Sequence, residues 1–174
     1  MEKKWHAIYT REACERKVAT SLSKRHIINY LPLNRTSQLY SIESKKYILK
    51  PLFHNMLFVK IDDTERWRIK RNEDVINFYY WLGRIAIIEE NEIKNMQLFV
   101  GKYANIIIHK IPIRLKRLYG IDIPSQQKDF SIENDLIKTE LLSIGYSLEA
   151  NIEKMKTSRT SIHSNKETFS QIDL

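Results

Sequence analysis

The spacing of apolar residues predicts a strand and a helix at the start of the chain. Residues 4–10 alternate with a period of two, which is typical of a half-buried strand. Cys14, Val18 and Leu22 then recur at every fourth position, which predicts the buried stripe of an amphipathic helix. Thr10 is placed to be the N-cap of this helix, because its hydroxyl can accept a hydrogen bond from a free N–H of the first turn.

The stretch KPLFHNMLFVKI, residues 50–61, predicts a strand with two apolar faces. One parity is an ordinary core face, made of Leu57, Val59 and Ile61. The opposite parity carries Met56 and Phe58, where a strand with one solvated face would carry polar side chains. The pattern leaves two interpretations open: a second face buried within the protein, or a docking surface for another protein.

The remaining patterns extend the order of elements to β-α-β-β-β-α-β-α. They comprise a basic hairpin arm at 35–50, a helix at 62–75 with Asp62 or Thr64 as its cap, a β-rich run at 75–88 and a helix at 89–103. Short connections between these elements predict an α+β domain over residues 1–108, in which an antiparallel sheet is packed against helices.

The periodic signals weaken after residue 108, which predicts a different organisation there. Residues 109–137 have few periodic features and are expected to be largely irregular. Residues 138–154 favour one short hairpin that turns near Gly145 and packs back on the first domain. The polar residues 156–174 are expected to form a disordered tail.

The chain of 174 residues carries a net charge of +8, and almost all of this excess lies in its first fifty residues. That segment has 11 Lys or Arg and 4 Asp or Glu, whereas the remaining residues have 18 and 17. Such an asymmetry indicates local contact with a polyanion such as DNA or RNA, or a surface that is merely lysine-rich. No apolar run is long enough to predict a membrane span or a secretory signal, so we expect a cytoplasmic protein without membrane contact.

The residue types that carry enzymatic or metal chemistry are not grouped in the sequence. The five histidines do not pair with one another or with acids at ligand spacing, and the four glycines are too scattered for a phosphate-binding loop. Cys14, the single cysteine, lies on the predicted helix stripe, where packing is its expected role. We therefore predict that the protein is not an enzyme and has no catalytic residue, no cofactor and no metal site.

Several ordered motifs within residues 3–108 resemble the amino-terminal domain of the NusG family of transcription elongation factors. They are KWHAIYT-REACERKVATSL, YLPL, KPLFHNMLFVKID and RNEDVINFYYWLGRIAIIEENEI. Asn55 matches the residue of the specialised antiterminators, the UpxY-like and RfaH-like paralogues. His54, Met56 and Asp74 depart from the family pattern, which has Pro, Tyr and Gly at these positions.

The carboxy-terminal region carries a second, shorter resemblance. The segment LLSIGYSLEANIE is similar to the closing segment of UpxY-like proteins, whereas residues 105–137 lack the Gly-rich segment of a KOW domain. Residues 109–155 are therefore interpreted as a degenerate KOW-like region, the remnant of a small β-barrel. Family members contact a ribosomal protein or a termination factor through this barrel, and the resemblance implies such a partner here only if the barrel is intact.

The resemblance implies a transcription antitermination factor that rides on RNA polymerase, keeps its clamp closed and suppresses pausing. An apolar patch is implied to dock on the clamp helices and is expected to be partly exposed in the isolated chain; the matching residues are Tyr9, Phe53, Met56 and Phe58. The start of the first helix and the basic second helix are implied to contact the non-template DNA strand; the matching residues are Arg11, Arg16, Lys17 and Arg71.

A basic, ribosome-associated RNA-binding module is the alternative from a different functional class. In that case Tyr79, Tyr80 and Trp81 would stack on RNA bases, as aromatic side chains do in single-strand recognition. Co-purification separates the two interpretations, because an RNA-binding module would follow ribosomes or free RNA rather than polymerase.

Overall fold

The computed structural model describes residues 2–39, 45–81, 83–111, 131–133 and 135–152. Its strands are β1 Lys4–Thr10, β2 Ile28–Tyr30, β3 Leu33–Leu39, β4 Lys45–Pro51, β5 Met56–Ile61, β6 Val75–Phe78, β7 Tyr80–Trp81, β8 Arg84–Ile85, β9 Ile107–Lys110, β10 Ser131–Glu133, β11 Leu136–Leu141 and β12 Tyr146–Asn151. Its helices are α1 Glu15–Lys24, α2 Arg66–Lys70 and α3 Glu90–Lys102, and a 3-10 turn, Asp63–Glu65, precedes α2. Most of the segment 109–137, which the sequence predicts to be irregular, and the whole predicted tail lie outside the described residues. Most of the described residues of that segment belong to β9, β10 and β11, so the prediction of irregular structure is wrong for them, because they pair into a sheet with β12.

A four-stranded antiparallel sheet, in the order β2-β5-β1-β6, forms the centre of the first domain. β1 and β5 pair from Lys4 opposite Ile61 to Tyr9 opposite Met56. Both parities of β5 are buried, so each face of this strand contributes to a core. The predicted α+β class, an antiparallel sheet with helices packed against it, is confirmed.

α1 begins later than the sequence predicts. Thr10 still belongs to the sheet, where its N–H donates to the Asn55 carbonyl at 2.8 Å, and a further turn separates it from the helix. The N-cap is Cys14, which is half-buried, whereas Val18 and Leu22 are fully buried. The prediction that Thr10 caps α1 is therefore wrong, because sheet pairing extends β1 into the expected cap position. Cys14 is the cap rather than a helical residue, but it does pack against the cluster of Val18 and Leu22, as its place in the predicted stripe implies.

The predicted second helix is present and short. Asp62 caps the 3-10 turn before α2: its carboxylate accepts from the N–H groups of Thr64 and Glu65, and the Glu65 side chain accepts from the Asp62 N–H. A further hydrogen bond from the Thr64 hydroxyl, together with those from the two N–H groups, holds the pKa of Asp62 below its ordinary value. Of the two candidate caps in the sequence, Asp62 is the one used.

One face of the central sheet is covered by α1 and α2. Val18 and Leu22 of α1 and Ile69 of α2 are fully buried, and their cluster contains the core face of β5, namely Leu57, Val59 and Ile61. Burial of an aliphatic side chain of this size stabilises the fold by about 1.5–3 kcal/mol. This face is the ordinary core that the alternation in residues 56–61 predicts.

The opposite face of the central sheet is covered by α3 and by a second sheet. α3 contributes Ile93, Met96 and Phe99 to the same cluster as Leu141 and Leu148 of the second sheet. The second sheet is antiparallel, in the order β10-β11-β12-β9. The sheet thus has two buried faces, and part of the second cover comes from the carboxy-terminal region.

The second sheet contains the hairpin that the sequence predicts at 138–154. β11 and β12 pair along their length, and Gly145 in the turn has φ +69. β9 pairs with β12, so this sheet begins at residue 107, just before the predicted domain boundary at 108. The basic arm is also present as the β3–β4 hairpin.

Candidate interaction surfaces

The central sheet brings together the four residues predicted to dock on another protein: Tyr9, Phe53, Met56 and Phe58. Tyr9 lies opposite Met56 in the β1–β5 register, so the two side chains share a face of the sheet. Met56 and Phe58 have the same parity on β5 and lie on that face as well. The rings of Phe53 and Phe58 meet edge to face with centroids 5.6 Å apart. We call these four residues the apolar patch.

A buried carboxylate fixes the turn that carries Phe53. The Asn55 N–H donates to Oε1 of Glu15 at 2.8 Å, and Glu15 is 4% exposed. Asn55 has φ +55, a conformation that asparagine adopts more readily than most residues. The bond ties the turn before β5 to the first residue of α1 and so sets where Phe53 lies.

The apolar patch is covered. Phe53, Met56 and Phe58 are 3%, 2% and 0% exposed, and Tyr9 is half-buried. The expectation that these side chains are partly exposed in the isolated chain is therefore wrong for three of the four. The physical reason is non-local, because the residues that cover the patch lie on α3 and on β11–β12.

The β11–β12 hairpin supplies the cover next to Phe53. The Tyr146 ring meets Phe53 edge to face at a centroid distance of 5.5 Å and lies 6.4 Å from the Tyr79 ring. The Tyr79 hydroxyl donates to the Ile144 carbonyl at 2.9 Å. Burial raises the pKa of Tyr79 well above its ordinary value, so the hydroxyl stays a donor at neutral pH. The hairpin thus contacts the first domain through edge-to-face and tilted ring pairs and a buried hydrogen bond.

A second polar contact joins the hairpin to α3. Oε1 of Glu92 accepts from the Ser143 N–H at 3.1 Å, and Glu92 is 3% exposed. Its other oxygen, Oε2, is buried and has no hydrogen-bond partner among the described residues. A buried carboxylate oxygen without a partner is destabilising. The contact between the hairpin and α3 is thus made through one of the two carboxylate oxygens of Glu92.

Gly145 packs against the Trp81 ring, and replacing it should destabilise the packing of the hairpin. A Cβ there would lie 2.2 Å from the Trp81 ring, and φ is +69. We expect Gly145→Ala to lower the free energy of unfolding by about 1–2 kcal/mol from left-handed strain. Displacement of the ring should cost at least about 1 kcal/mol more. Urea unfolding measures both changes.

Gly83→Ala is the matched control for this substitution. Gly83 has φ +79, but a Cβ there meets nothing within 4 Å, so the variant carries the strain without the ring contact. Equal losses in the two variants would show that the Gly145–Trp81 contact contributes nothing.

Three of the basic residues predicted to contact DNA lie at the start of α1. Arg11 precedes the helix, and Arg16 and Lys17 are exposed in its first turn. The Arg16 guanidinium donates to the Leu49 carbonyl of β4 at 2.7 Å. The Lys17 ammonium pairs with the Asp74 carboxylate at 2.7 Å. Arg16 is therefore held by the basic arm, and Lys17 by the loop before β6.

The Lys17–Asp74 pair reduces the positive potential at this end of α1. The hydrogen bond between them raises the pKa of Lys17 and lowers the pKa of Asp74, so both stay charged at neutral pH. The Lys17 ammonium is largely exposed, so the pair adds little to stability. The Asp74 carboxylate pairs with Lys17 and also lies near Arg11, so it offsets part of the positive charge at this end of α1.

Arg71 lies apart from the other three basic residues. It is the C-cap of α2, which runs beside the last turn of α1, where the Arg68 guanidinium donates to the Arg25 carbonyl at 3.0 Å. α1 has 10 residues, so its two ends are about 15 Å apart. The four predicted DNA contacts therefore form two groups, one at each end of α1.

The three aromatic residues of the alternative interpretation differ in exposure. Tyr80 is 51% exposed, whereas Tyr79 is 7% exposed and Trp81 is half-buried against Gly145. Neither Tyr79 nor Trp81 therefore has a ring face as accessible as that of Tyr80. The side chains of Tyr79 and Trp81 contribute to the internal cluster instead. A stack of bases on all three rings is not compatible with this arrangement.

Two aromatic residues that belong to these surfaces were not predicted from the sequence. Tyr146 covers the apolar patch, and Trp67 is exposed beside Arg71. The signal for Trp67 was its position within the basic run RWRIKR. No local signal pairs Tyr146 with Phe53, because the two positions are far apart in the chain.

Neither a metal centre nor a membrane-spanning helix occurs among the described residues. These residues contain no group of three or more His, Cys, Asp or Glu side chains placed to hold a metal ion. None of the helices in the described ranges is both long enough and apolar enough to cross a bilayer.

Three comparisons with known proteins bear on these surfaces. The family model described as "Transcription termination factor nusG" matches residues 3–97. No curated protein matches the chain significantly. Among solved structures, the chain is similar to one titled "Domain interaction in Thermotoga maritima NusG", with 14% identity and a TM-score of 0.46 over 87% of this chain and 95% of that one. The family match contains the whole apolar patch and most of α3, and it ends before β9.

Proposed function

The chain belongs to the NusG family, and on that premise we propose that it is an antitermination and elongation factor of the specialised type. Members of this family are non-enzymatic transcription factors that generally interact with RNA polymerase. In our proposal the apolar patch binds the clamp helices of the polymerase and the basic residues beside α1 contact the exposed non-template DNA strand. The bound factor keeps the clamp closed and suppresses pausing and termination.

One observation carries this proposal. The second apolar face of the central sheet is built from residues inside the family match, yet its cover next to Phe53 comes from β11–β12, outside that match. In our proposal the hairpin leaves this face when the partner binds. An apolar surface of this kind, once uncovered, is suited to docking on a partner helix pair.

The proposal assigns a closed, inactive state to the described arrangement. The clamp helices and the β11–β12 hairpin would occupy the same surface, so the two compete. When only a fraction of the molecules is open, the apparent affinity for the partner is reduced by that fraction. Polymerase therefore stabilises the open state, because it binds the open state more tightly than the closed state.

The nucleic-acid part of the proposal rests on the basic residues at the start of α1. We expect a triple variant, Arg11→Gln, Arg16→Gln and Lys17→Gln, to bind single-stranded DNA more weakly and with a shallower salt dependence. Each phosphate contact on single strands contributes roughly 0.7 to the log-log slope. Because Asp74 already neutralises Lys17, most of the change should come from the two arginines. Fluorescence anisotropy over a range of salt concentrations measures the slope.

Lys94→Gln serves as the control for the triple variant. Lys94 is exposed on α3, away from α1, and should leave the slope unchanged. A triple variant with the slope of the unmodified chain would remove these residues from the DNA contact.

Co-purification tests the proposed function as a whole. The tagged full-length chain is recovered from cells, and its partners are identified by mass spectrometry. We expect the subunits of RNA polymerase, enriched further when the hairpin is released by the substitution described in the Discussion. Recovery of ribosomes without polymerase would overturn the proposal in favour of the RNA-binding alternative.

A further inference from the structure

A shallow basic cleft beside the last turn of α1 contains an exposed tryptophan. Trp67 is 57% exposed, and the Arg71 guanidinium lies 5.5 Å from the centroid of its ring. The cleft has a volume of about 320 Å³ and is lined by Arg25, Trp67, Arg68 and Arg71. The Trp67 side chain is thus more than half exposed, with the Arg71 guanidinium over its ring and two further guanidinium groups lining the same cleft.

The exposed ring is not needed to hold α2 in place. Ile69 of the same helix is fully buried in the core beneath the sheet and supplies its apolar anchor. Trp5, by contrast, is 6% exposed within the opposite cluster. A large aromatic side chain left on the surface gives up the stabilisation that burial would provide, and such residues are enriched where a ligand or partner binds.

The arginines around Trp67 differ in their hydrogen-bond and ion-pair partners. Arg68 is fixed by two hydrogen bonds, from Nη1 to Oε1 of Glu65 at 3.1 Å and from Nη2 to the Arg25 carbonyl at 3.0 Å. Glu65 also pairs with Lys3, at 2.9 Å. Arg25 and Arg71 form no ion pair with any residue in the described ranges. The cleft therefore keeps two guanidinium groups for an anion next to the ring.

We propose that this cleft binds single-stranded nucleic acid, with one unstacked base on the Trp67 ring and the adjoining phosphates on Arg25 and Arg71. Stacking on an exposed aromatic ring combined with a basic groove is how proteins hold single strands without reading their sequence. The site deepens the nucleic-acid part of the proposed function, because it continues the contact predicted for Arg71 to the end of α1 opposite Arg11.

A second shallow cleft along α1 provides a path between the two groups of basic residues. It has a volume of about 430 Å³ and is lined by Arg16, Lys17, Thr20, Ser21 and Lys24. Asn72, next to Arg71, donates to the Ser21 hydroxyl at 3.2 Å, which places the end of α2 beside this cleft. A strand that starts at Arg11 can therefore follow α1 to Trp67 over basic and hydroxyl side chains.

The test uses the full chain and fluorescein-labelled oligonucleotides of about twelve nucleotides, a length within the site size of small single-strand-binding modules. DNA and RNA of one mixed sequence are compared by anisotropy, without polymerase. We expect Trp67→Ala to weaken binding about tenfold, since stacking supplies a base contact. The salt slope should stay unchanged, because no phosphate contact is lost. Trp67→Phe should restore most of the affinity, and Arg71→Gln should lower the slope by roughly 0.7.

Leu98→Ala is the control for loss of an exposed apolar side chain, since Leu98 is 63% exposed on α3. The proposal is overturned if neither oligonucleotide binds the unmodified chain at low salt, if Trp67→Ala binds as tightly as Leu98→Ala, or if Trp67→Ala lowers the salt slope. The DNA and RNA arms show which strand is preferred. Polymerase recovery with Trp67→Ala is measured separately, so failure of this site and failure of the proposed function give different results.

Discussion

Replacing Leu148 with Asp should release the β11–β12 hairpin and strengthen binding to the polymerase clamp helices by at least about tenfold. Leu148 is fully buried on β12, in the cluster that contains Phe53 and Met56. A carboxylate at this position would be buried without a partner, which costs several kcal/mol unless the segment that carries it moves into water. Opening the hairpin removes the reduction in apparent affinity that the closed state imposes.

Two measurements follow the release of the hairpin. Hydrogen exchange should show loss of protection over 136–151, while β1, β5 and α1 keep theirs. Anisotropy with a labelled coiled-coil fragment of the clamp gives the affinity. Glu140→Gln is the control, because Glu140 is exposed on β11 and its replacement should change neither readout.

Two results would contradict the first expectation. If Leu148→Asp unfolds the central sheet as well, the hairpin is a permanent part of the core, and the second face of β5 is simply buried. If the hairpin opens and the clamp fragment binds no better, the apolar patch is not the docking surface.

Within the released Leu148→Asp chain, Phe53→Ala should weaken clamp binding about thirtyfold, or roughly 2 kcal/mol. Phe53 lies on the turn before β5, and its ring meets both Phe58 and Tyr146 edge to face. Departure of Tyr146 frees one side of the ring for the partner. An aromatic residue at the centre of an interface commonly carries a loss of this size.

The two phenylalanines of the patch should respond differently. Phe58 is 0% exposed and has Tyr30 as well as Phe53 as ring neighbours. Phe58→Ala should therefore lower the free energy of unfolding, by about 3–5 kcal/mol, while Phe53→Ala in the released chain should leave the central sheet folded. Thermal unfolding followed by circular dichroism separates the two effects. Unchanged clamp affinity in a folded Phe53→Ala variant would exclude Phe53 as an anchor.

Local patterns in the sequence predicted well those secondary-structure elements that depend only on interactions between nearby residues. Alternation predicted β1 and β5, helical spacing predicted α3, and Gly145 marked the turn of the hairpin. The cap of α1 was mispredicted, because Thr10 has cap chemistry but is drawn into the sheet by a hydrogen bond to Asn55. Local propensity was overridden there by pairing with a distant residue.

The candidate surfaces were only partly predicted from the sequence. The resemblance placed Tyr9, Phe53, Met56 and Phe58 together, and the structure does bring them to one face of the sheet. It also grouped Arg71 with Arg11, Arg16 and Lys17, which the fold separates along the length of α1. Trp67 received no role from its sequence alone, because exposure depends on which neighbours a short helix meets.

The sequence by itself determined the family, the α+β class and the two apolar faces of β5, because periodicity and ordered motifs are properties of short stretches of chain. Only the tertiary structure decided what covers each face. α1 and α2 lie near β5 in the sequence and cover the first, whereas Ile144 and Tyr146 reach the second from the far end of the chain. An apolar face on a strand indicates only that the face is buried. Whether a distant hairpin or a partner protein buries it depends on long-range packing, which no local pattern encodes.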